Sequence, residues 1–212
     1  MKAKVPFEET KLGTALSGII DLVVSGLLWL VCCVPIITAG TATVAFYYTV
    51  VKCVRHERGH VYSTFFGAFK RNFKQSILLW LAVLVYAVIA AADIWASKLM
   101  GDEAGIMAYG FFLFLMPGAL ILPWLFPYVS RFENSFGGSI KASFYVSIKN
   151  FGKTLLILLI LAAFGFVCWL APLLAPFLPG LCCLFVSYQI EPALKALAEG
   201  VKDENADKWY DE

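Results

Sequence analysis

Residues Thr154–Ile190 read TLLILLILAAFGFVCWLAPLLAPFLPGLCCLFVSYQI, a run without a single charged side chain. A helix that crosses a hydrocarbon core of about 30 Å needs about 20 mostly apolar residues. The run is therefore long enough for two crossings, and Pro172, Pro176 and Pro179 mark the turn between them. The same pattern recurs upstream. From Leu12 to Val51 the only charge is Asp21, and the stretch Pro35–Gly40 (PIITAG) supplies the turn. Ser76–Ser97 is interrupted only by Asp93. Ile106–Ser130 is uncharged and carries Pro117, Pro123 and Pro127, which membrane helices tolerate better than soluble ones. The expected fold is all-α and polytopic, with six transmembrane helices at roughly 12–33, 40–54, 76–97, 106–130, 154–173 and 177–195.

Composition agrees with a lipid solvent. The chain is 60% hydrophobic and 15% charged, against about 45–50% and about 25% in soluble domains. Its mean hydropathy is +0.77. A net charge of +2 leaves no nucleic-acid footprint. With the N-terminus in the cytoplasm, 16 of the 17 Lys and Arg fall inside and only Lys98 falls outside. That bias is the positive-inside pattern, and it sets both termini in the cytoplasm. Met1 to Lys11 is charged and polar, and no small-x-small cleavage site follows the first apolar run. That run is expected to stay as a membrane helix. Residues 1–196 read as one membrane domain and 197–212 as a short charged cytoplasmic tail. The six cysteines lie in or beside apolar runs without any C-x-x-C spacing. They read as small hydrophobes, and nothing requires a disulfide between the Cys32–Cys33 and Cys182–Cys183 pairs.

The spans pair as three outward hairpins with an internal repeat. Asn72-Phe73-Lys74-Gln75-Ser76 resembles Asn150-Phe151-Gly152-Lys153-Thr154, and the same offset of 78 aligns Gly40 with Gly118. A third copy is expected to begin at Pro179-Gly180. Two amphipathic interfacial helices are expected in the cytoplasmic loops. In the first, Tyr62, Phe65, Phe66, Phe69 and Phe73 share a sector opposite Lys70, Arg71 and Lys74. In the second, Ile140, Phe144, Ile148 and Phe151 share a face opposite Lys149 and Lys153. The cations would attract anionic lipid headgroups. Phe65, Phe66, Phe69, Lys70, Arg71, Phe73 and Lys74 are the candidate interfacial or partner contacts.

Within the spans, Asp21 is the candidate polar site, because an ionisable group in a membrane is costly. It is expected near ~13 Å of depth at 1.5 Å per residue, with Ser17 and Ser25 at i−4 and i+4. Glu191, followed by Pro192, is expected to end the last helix near its inner end. Gly40, Gly118 and Gly180 are expected to allow tight turns or close helix packing. His56-Glu57-Arg58-Gly59-His60 matches the His-Glu-x-x-His spacing of zinc peptidases. Gly59 weakens the helix that such a site needs, and the chain has just two His. A third ligand would have to be a carboxylate such as Glu133. These residues read instead as a solvated turn, and no metal, cofactor or catalytic set is expected.

Leu27-Leu28-Trp29, then Pro35-Ile36-Ile37-Thr38-Ala39-Gly40-Thr41-Ala42-Thr43, Phe46-Tyr47-Tyr48, and Phe65-Phe66-x-x-Phe69-Lys70-x-Asn72-Phe73-Lys74-Gln75 resemble the YesL-like family of bacterial membrane proteins. The likeness covers roughly residues 10–80. His60 stands where the family pattern leads one to expect an aromatic. The family has no assigned molecular activity, so no catalytic residues carry over. Its members commonly occur beside genes for carbohydrate ABC importers and polysaccharide breakdown. The resemblance thus implies a non-enzymatic accessory of sugar uptake in the bacterial plasma membrane, with an ABC-type permease as a partner. The alternatives are a small transporter with a polar path near Asp21, and an intramembrane enzyme acting on lipid.

Overall fold

In a computed structural model all regular secondary structure among the described residues, 11–100, 105–174 and 176–201, is helical. The predicted tail beyond 201, and the first ten residues, lie outside them. Seven helices follow in order: α1 (Lys11–Cys33), α2 (Ala39–Thr49), α3 (Val61–Met100), α4 (Gly105–Arg131), α5 (Phe136–Lys149), α6 (Phe151–Leu170) and α7 (Leu178–Val201). Six of them coincide with the six apolar runs. Among the described residues, four segments are long and apolar enough to cross a membrane: Ile36–Arg55, Val61–Ala96, Phe151–Leu170 and Leu178–Ala198. Ser17–Cys33 is a shorter apolar helix.

The PIITAG turn is built as its composition dictates. Pro35 takes an extended conformation and opens a short 3-10 turn over Ile36–Thr38. The Thr38 hydroxyl shares its one proton between the carbonyls of Cys32 (2.7 Å) and Pro35 (2.9 Å), giving Cys32, one of α1's last acceptors, a partner. Trp80 of α3 reaches across and donates its indole N–H to the Ile36 carbonyl at 2.6 Å. Gly40 is what permits this approach, since a Cβ there would lie 2.4 Å from the Trp80 Cβ.

α2 is the core of the molecule. Two thirds (67%) of the most apolar window within Ile36–Arg55 is buried inside the protein, against 11% for the apolar windows of α3 and α6. At its inner end it loosens into a π-type turn over Val50–Arg55, where the His56 N–H bonds to the Val51 carbonyl. The chain then turns into α3, and α2 lies antiparallel along α3's first half. Gly40 meets Trp80 at one end, and the Tyr48 ring meets Arg71 further down, at 4.9 Å.

α3 is a single helix of 40 residues, about 60 Å long at 1.5 Å per residue. This corrects the first expected interfacial helix: its residues are the N-terminal half of α3 and not a separate element. The buried stripe Phe65, Ala68, Asn72, Ser76 and Leu79 follows helical spacing straight through the region expected to break. From Trp80 to the end of α3 another 30 Å or so of helix remains, a full hydrocarbon thickness. α2 therefore sits level with the charged half of α3, and the apolar half projects beyond it. Of the six expected spans, four segments are of span length among the described residues.

At the offset of 78 the two glycines differ in their neighbours: Gly40 packs under Trp80, whereas Gly118 packs under Tyr86, whose hydroxyl donates to the Phe114 carbonyl, and not under Leu158, the residue 78 beyond Trp80. Asn72 and Asn150 each donate the side-chain amide to the carbonyl four residues back, at 3.0 Å and 3.1 Å. Ser76 and Thr154 are both fully buried, as are Leu79 and Ile157 to within a percent or so. The copies differ at the asparagine. The second one breaks there, at φ −114° and ψ 42°, into α5 and α6. Gly152 of the second copy stands where the first has Lys74, and a helical Gly costs about 1 kcal/mol relative to Ala.

α5 is the separate amphipathic helix that was expected. Ser135 caps it by accepting from the Gly138 N–H at 3.2 Å. Its serines, Ser139, Ser143 and Ser147, are buried. Phe144, Ile148 and, just beyond the helix, Phe151 are exposed, while Ile140 is half-buried. The consecutive helices α1 and α2, α3 and α4, and α6 and α7 contact one another. Gly180 meets Leu22 of α1 at 3.0 Å from a virtual Cβ, so all three singled-out glycines serve close packing.

Candidate functional site

The densest polar constellation lies where α2, α4 and α7 meet. Glu191 accepts from Arg131 at 3.0 Å (Nη2) and 3.3 Å (Nε). The same Oε1 accepts from the Tyr47 hydroxyl at 2.9 Å. The Arg131 side chain is 0% exposed and that of Glu191 is 5% exposed. A buried ion pair of this kind persists only when its hydrogen bonds offset the loss of hydration. Tyr47 supplies one such bond, so the carboxylate ties together three helices.

Around this pair stands a shell of cations and tyrosine rings. Arg131, Arg71 and Lys52 lie 5.3, 4.9 and 5.4 Å from the Tyr48 ring centroid, within cation–π range. The Lys52 ammonium also donates to the Tyr48 hydroxyl at 3.3 Å. Arg55 stacks on Tyr188 at 4.5 Å and donates to the Ser187 carbonyl at 2.9 Å. The wide π-type turn is what delivers Lys52 and Arg55 to this end of the bundle. Within the cluster one carboxylate faces four cations, and the tyrosine rings take up part of the excess positive charge.

Sequence reasoning counted Arg131 among the inside cations and took Glu191 for a helix stop. It missed their pairing. A signal was available: opposite charges at the inner margins of two apolar runs, each costly unless they meet.

The predicted Asp21 site is rearranged. Asp21 and Ser17 line a cleft of about 290 Å³ with Gly18, Cys53, Val54, Glu57 and Gly59. They therefore sit beside the inner turn and not deep in the bundle. Ser25 does not join them. It is fully buried, and its hydroxyl donates to the Leu22 carbonyl at 2.9 Å.

The predicted contact surface splits in two. Phe65 is fully buried in the core, and Phe66 and Phe69 are half-buried. Phe65, Phe69 and Phe73 form a ring ladder with centroids 6.3 and 5.6 Å apart. Phe65 is therefore unavailable to a partner. Lys70, Arg71, Phe73 and Lys74 are exposed. Arg71 and Lys74 line a polar cleft of about 530 Å³ with Gln75, Glu133 and Asn134. Gln75 closes its floor by donating to the Asn134 carbonyl (2.8 Å) and the Ser139 hydroxyl (3.0 Å).

The His-Glu-x-x-His residues form a turn. Glu57 takes a left-handed conformation (φ 53°) and Gly59 does the same (φ 80°), so His56 and His60 share no helical face. Burial, and then the adjacent Arg55 cation, hold the His56 imidazole below its ordinary value. Among the described residues, no three His, Cys, Asp or Glu side chains gather as metal ligands would.

Residues 22–94 match the model of a family described as "Protein of unknown function, DUF624". The match covers 73 of the 212 residues, about a third of the chain, and makes this segment similar to the YesL-like family. No curated protein and no solved structure matches the chain. The matched segment contributes Tyr47, Tyr48, Lys52, Arg55 and Arg71 to the polar cluster. Arg131, Ser187, Tyr188 and Glu191 come from outside it. The cluster thus joins the family segment to the remainder of the chain.

Proposed function

We propose that this is a multi-pass protein of the bacterial plasma membrane that serves carbohydrate uptake as a non-enzymatic accessory of an ABC-type importer. Its basic side faces the cytoplasm. The apolar half of α3, with α4, α6 and α7, crosses the bilayer. α1 and α2 form a hairpin that returns to the inner side whether it passes right through or turns within the lipid. Both termini are then cytoplasmic in either case. The observation that carries the accessory reading is the exposed surface of the inner end. α5 presents Phe144, Tyr145 and Ile148 there, and α3 presents Lys70, Arg71 and Lys74. Such a face fits anionic lipid together with a membrane partner. The link to sugar uptake rests on the family resemblance.

The test is affinity purification of the full chain from its native membrane. Recovery of an importer's permease or ATPase subunit, lost in a Phe144→Ala/Ile148→Ala variant that still inserts, supports the reading. Wild-type purification free of importer subunits sinks it. A transport path through Asp21 is the weaker reading, because Ser25 lies outside the Asp21 cleft and its hydroxyl is spent on Leu22.

A further inference from the structure

A second site lies among the helices, distinct from the polar cluster. A cavity of about 450 Å³ is bounded by Trp29 of α1, Phe46 of α2, Pro123 of α4, Leu161 of α6, and Cys183 and Val186 of α7. Its volume falls within the range of small-molecule pockets, about 300–1,000 Å³. The polar side-chain groups at its border are already engaged. Trp29 Nε1 donates to Thr43 Oγ1 at 3.2 Å, and that hydroxyl donates to the Ala39 carbonyl at 2.8 Å. The Tyr47 hydroxyl is held by Glu191.

This lining selects the class of occupant. A buried water needs two to four polar partners, and a sugar needs more, so neither is recognised by these side chains. A void would forfeit the dispersion contacts of every wall atom. A flexible hydrocarbon chain restores them without needing a hydrogen bond. The cavity is also continuous with the outer surface of the bundle. Leu161 lines it and is 42% exposed, and the same helix presents Leu155, Leu159 and Phe166 outward. That outer face is the one a span-length helix turns to lipid.

We propose that this cavity binds one acyl chain of a membrane phospholipid as a resident ligand. The inference rests on the membrane reading above and adds a lipid site to it. The test uses full-length protein extracted in mild detergent, incubated with phosphatidylglycerol–phosphatidylethanolamine vesicles, re-extracted, washed and weighed by native mass spectrometry. About one phospholipid per chain is expected to survive washing. Leu158→Trp and Ala119→Phe, which project bulk into the cavity, are expected to retain at least ten-fold less, with thermal stability kept as the check on folding. A Leu161→Phe chain serves if either fails to fold. Wild type that retains no phospholipid, that holds free fatty acid instead, or whose filled variants retain as much, overturns the proposal. Membrane fractionation of the same samples separates this from failure of the membrane reading: protein that does not partition with membranes loses both.

Discussion

Gly40 and Trp80 touch so closely that a methyl group on the glycine would stand 2.4 Å from the tryptophan Cβ and 2.7 Å from its Cγ. This contact fixes how far α2 extends along α3. Gly40→Ala is expected to destabilise the fold by about 1–3 kcal/mol, the usual cost of overpacking where the neighbour is a Cβ and cannot swing away. Thermal unfolding in detergent, compared with Gly67→Ala, where nothing lies within 4 Å, is the measurement. Equal melting of the two variants would mean that the helices are not in this register.

The same register gives a topological expectation. The α1–α2 turn is level with Trp80, and α3 continues for about 30 Å past it. Cysteines placed at exposed Val34 or Ile37, in a chain whose native cysteines are replaced, should resist an impermeant maleimide added outside intact cells. A cysteine at exposed Ala96, near the far end of α3, should react. Strong external labelling at Val34 would restore α2 as a full crossing.

Arg131 and Glu191 are expected to be far more costly to change singly than together. Removing one partner strands the other's charge in the interior, at about 3–5 kcal/mol. Arg131→Met with Glu191→Gln removes both charges and should recover much of the loss. A double-mutant cycle on unfolding free energy measures the coupling. Additive losses would show that the pair does not hold α4 to α7.

Much of this architecture is legible from residue order. Uncharged runs located six helices, because burial in lipid demands uninterrupted apolar length. The likeness of the Asn72 and Asn150 stretches was legible too, but the hydrogen bond that each side chain makes to the carbonyl four residues back was not. What remained hidden depended on contacts between distant positions. Nothing in the helical spacing of Phe65 and Phe69 says whether that face meets lipid or α2. The continuity of α3 was missed because amphipathic periodicity describes a face and not where a helix ends. Tyr47, Arg131 and Glu191 are separated by 84 and 60 residues, and only tertiary packing brings them together.

His56 offers a pH-dependent readout outside the spans. Its folded-state affinity for protons is lowered, by burial first and by Arg55 second. The unfolded chain, near the ordinary value of about 6.5, therefore binds more protons. Stability is unaffected well above that value and falls as pH drops through it toward the lower folded value. His56→Gln should remove this acid-side loss. An imidazole NMR titration should place the His56 midpoint below 6.5 or so; a midpoint above it contradicts the packing described.

The carboxylate at the centre of the polar cluster belongs to α7, the last of the described helices, while Lys52, Arg55, Arg71 and Arg131 all precede it. A ribosome releases every one of those cations before it releases their counter-ion. This polar cluster is thus left unfinished until α7 has been made, and its assembly waits on that helix. Nascent chains arrested before Leu178 should be open to proteolysis at the α4–α5 junction, and chains extended past Glu191 should be resistant.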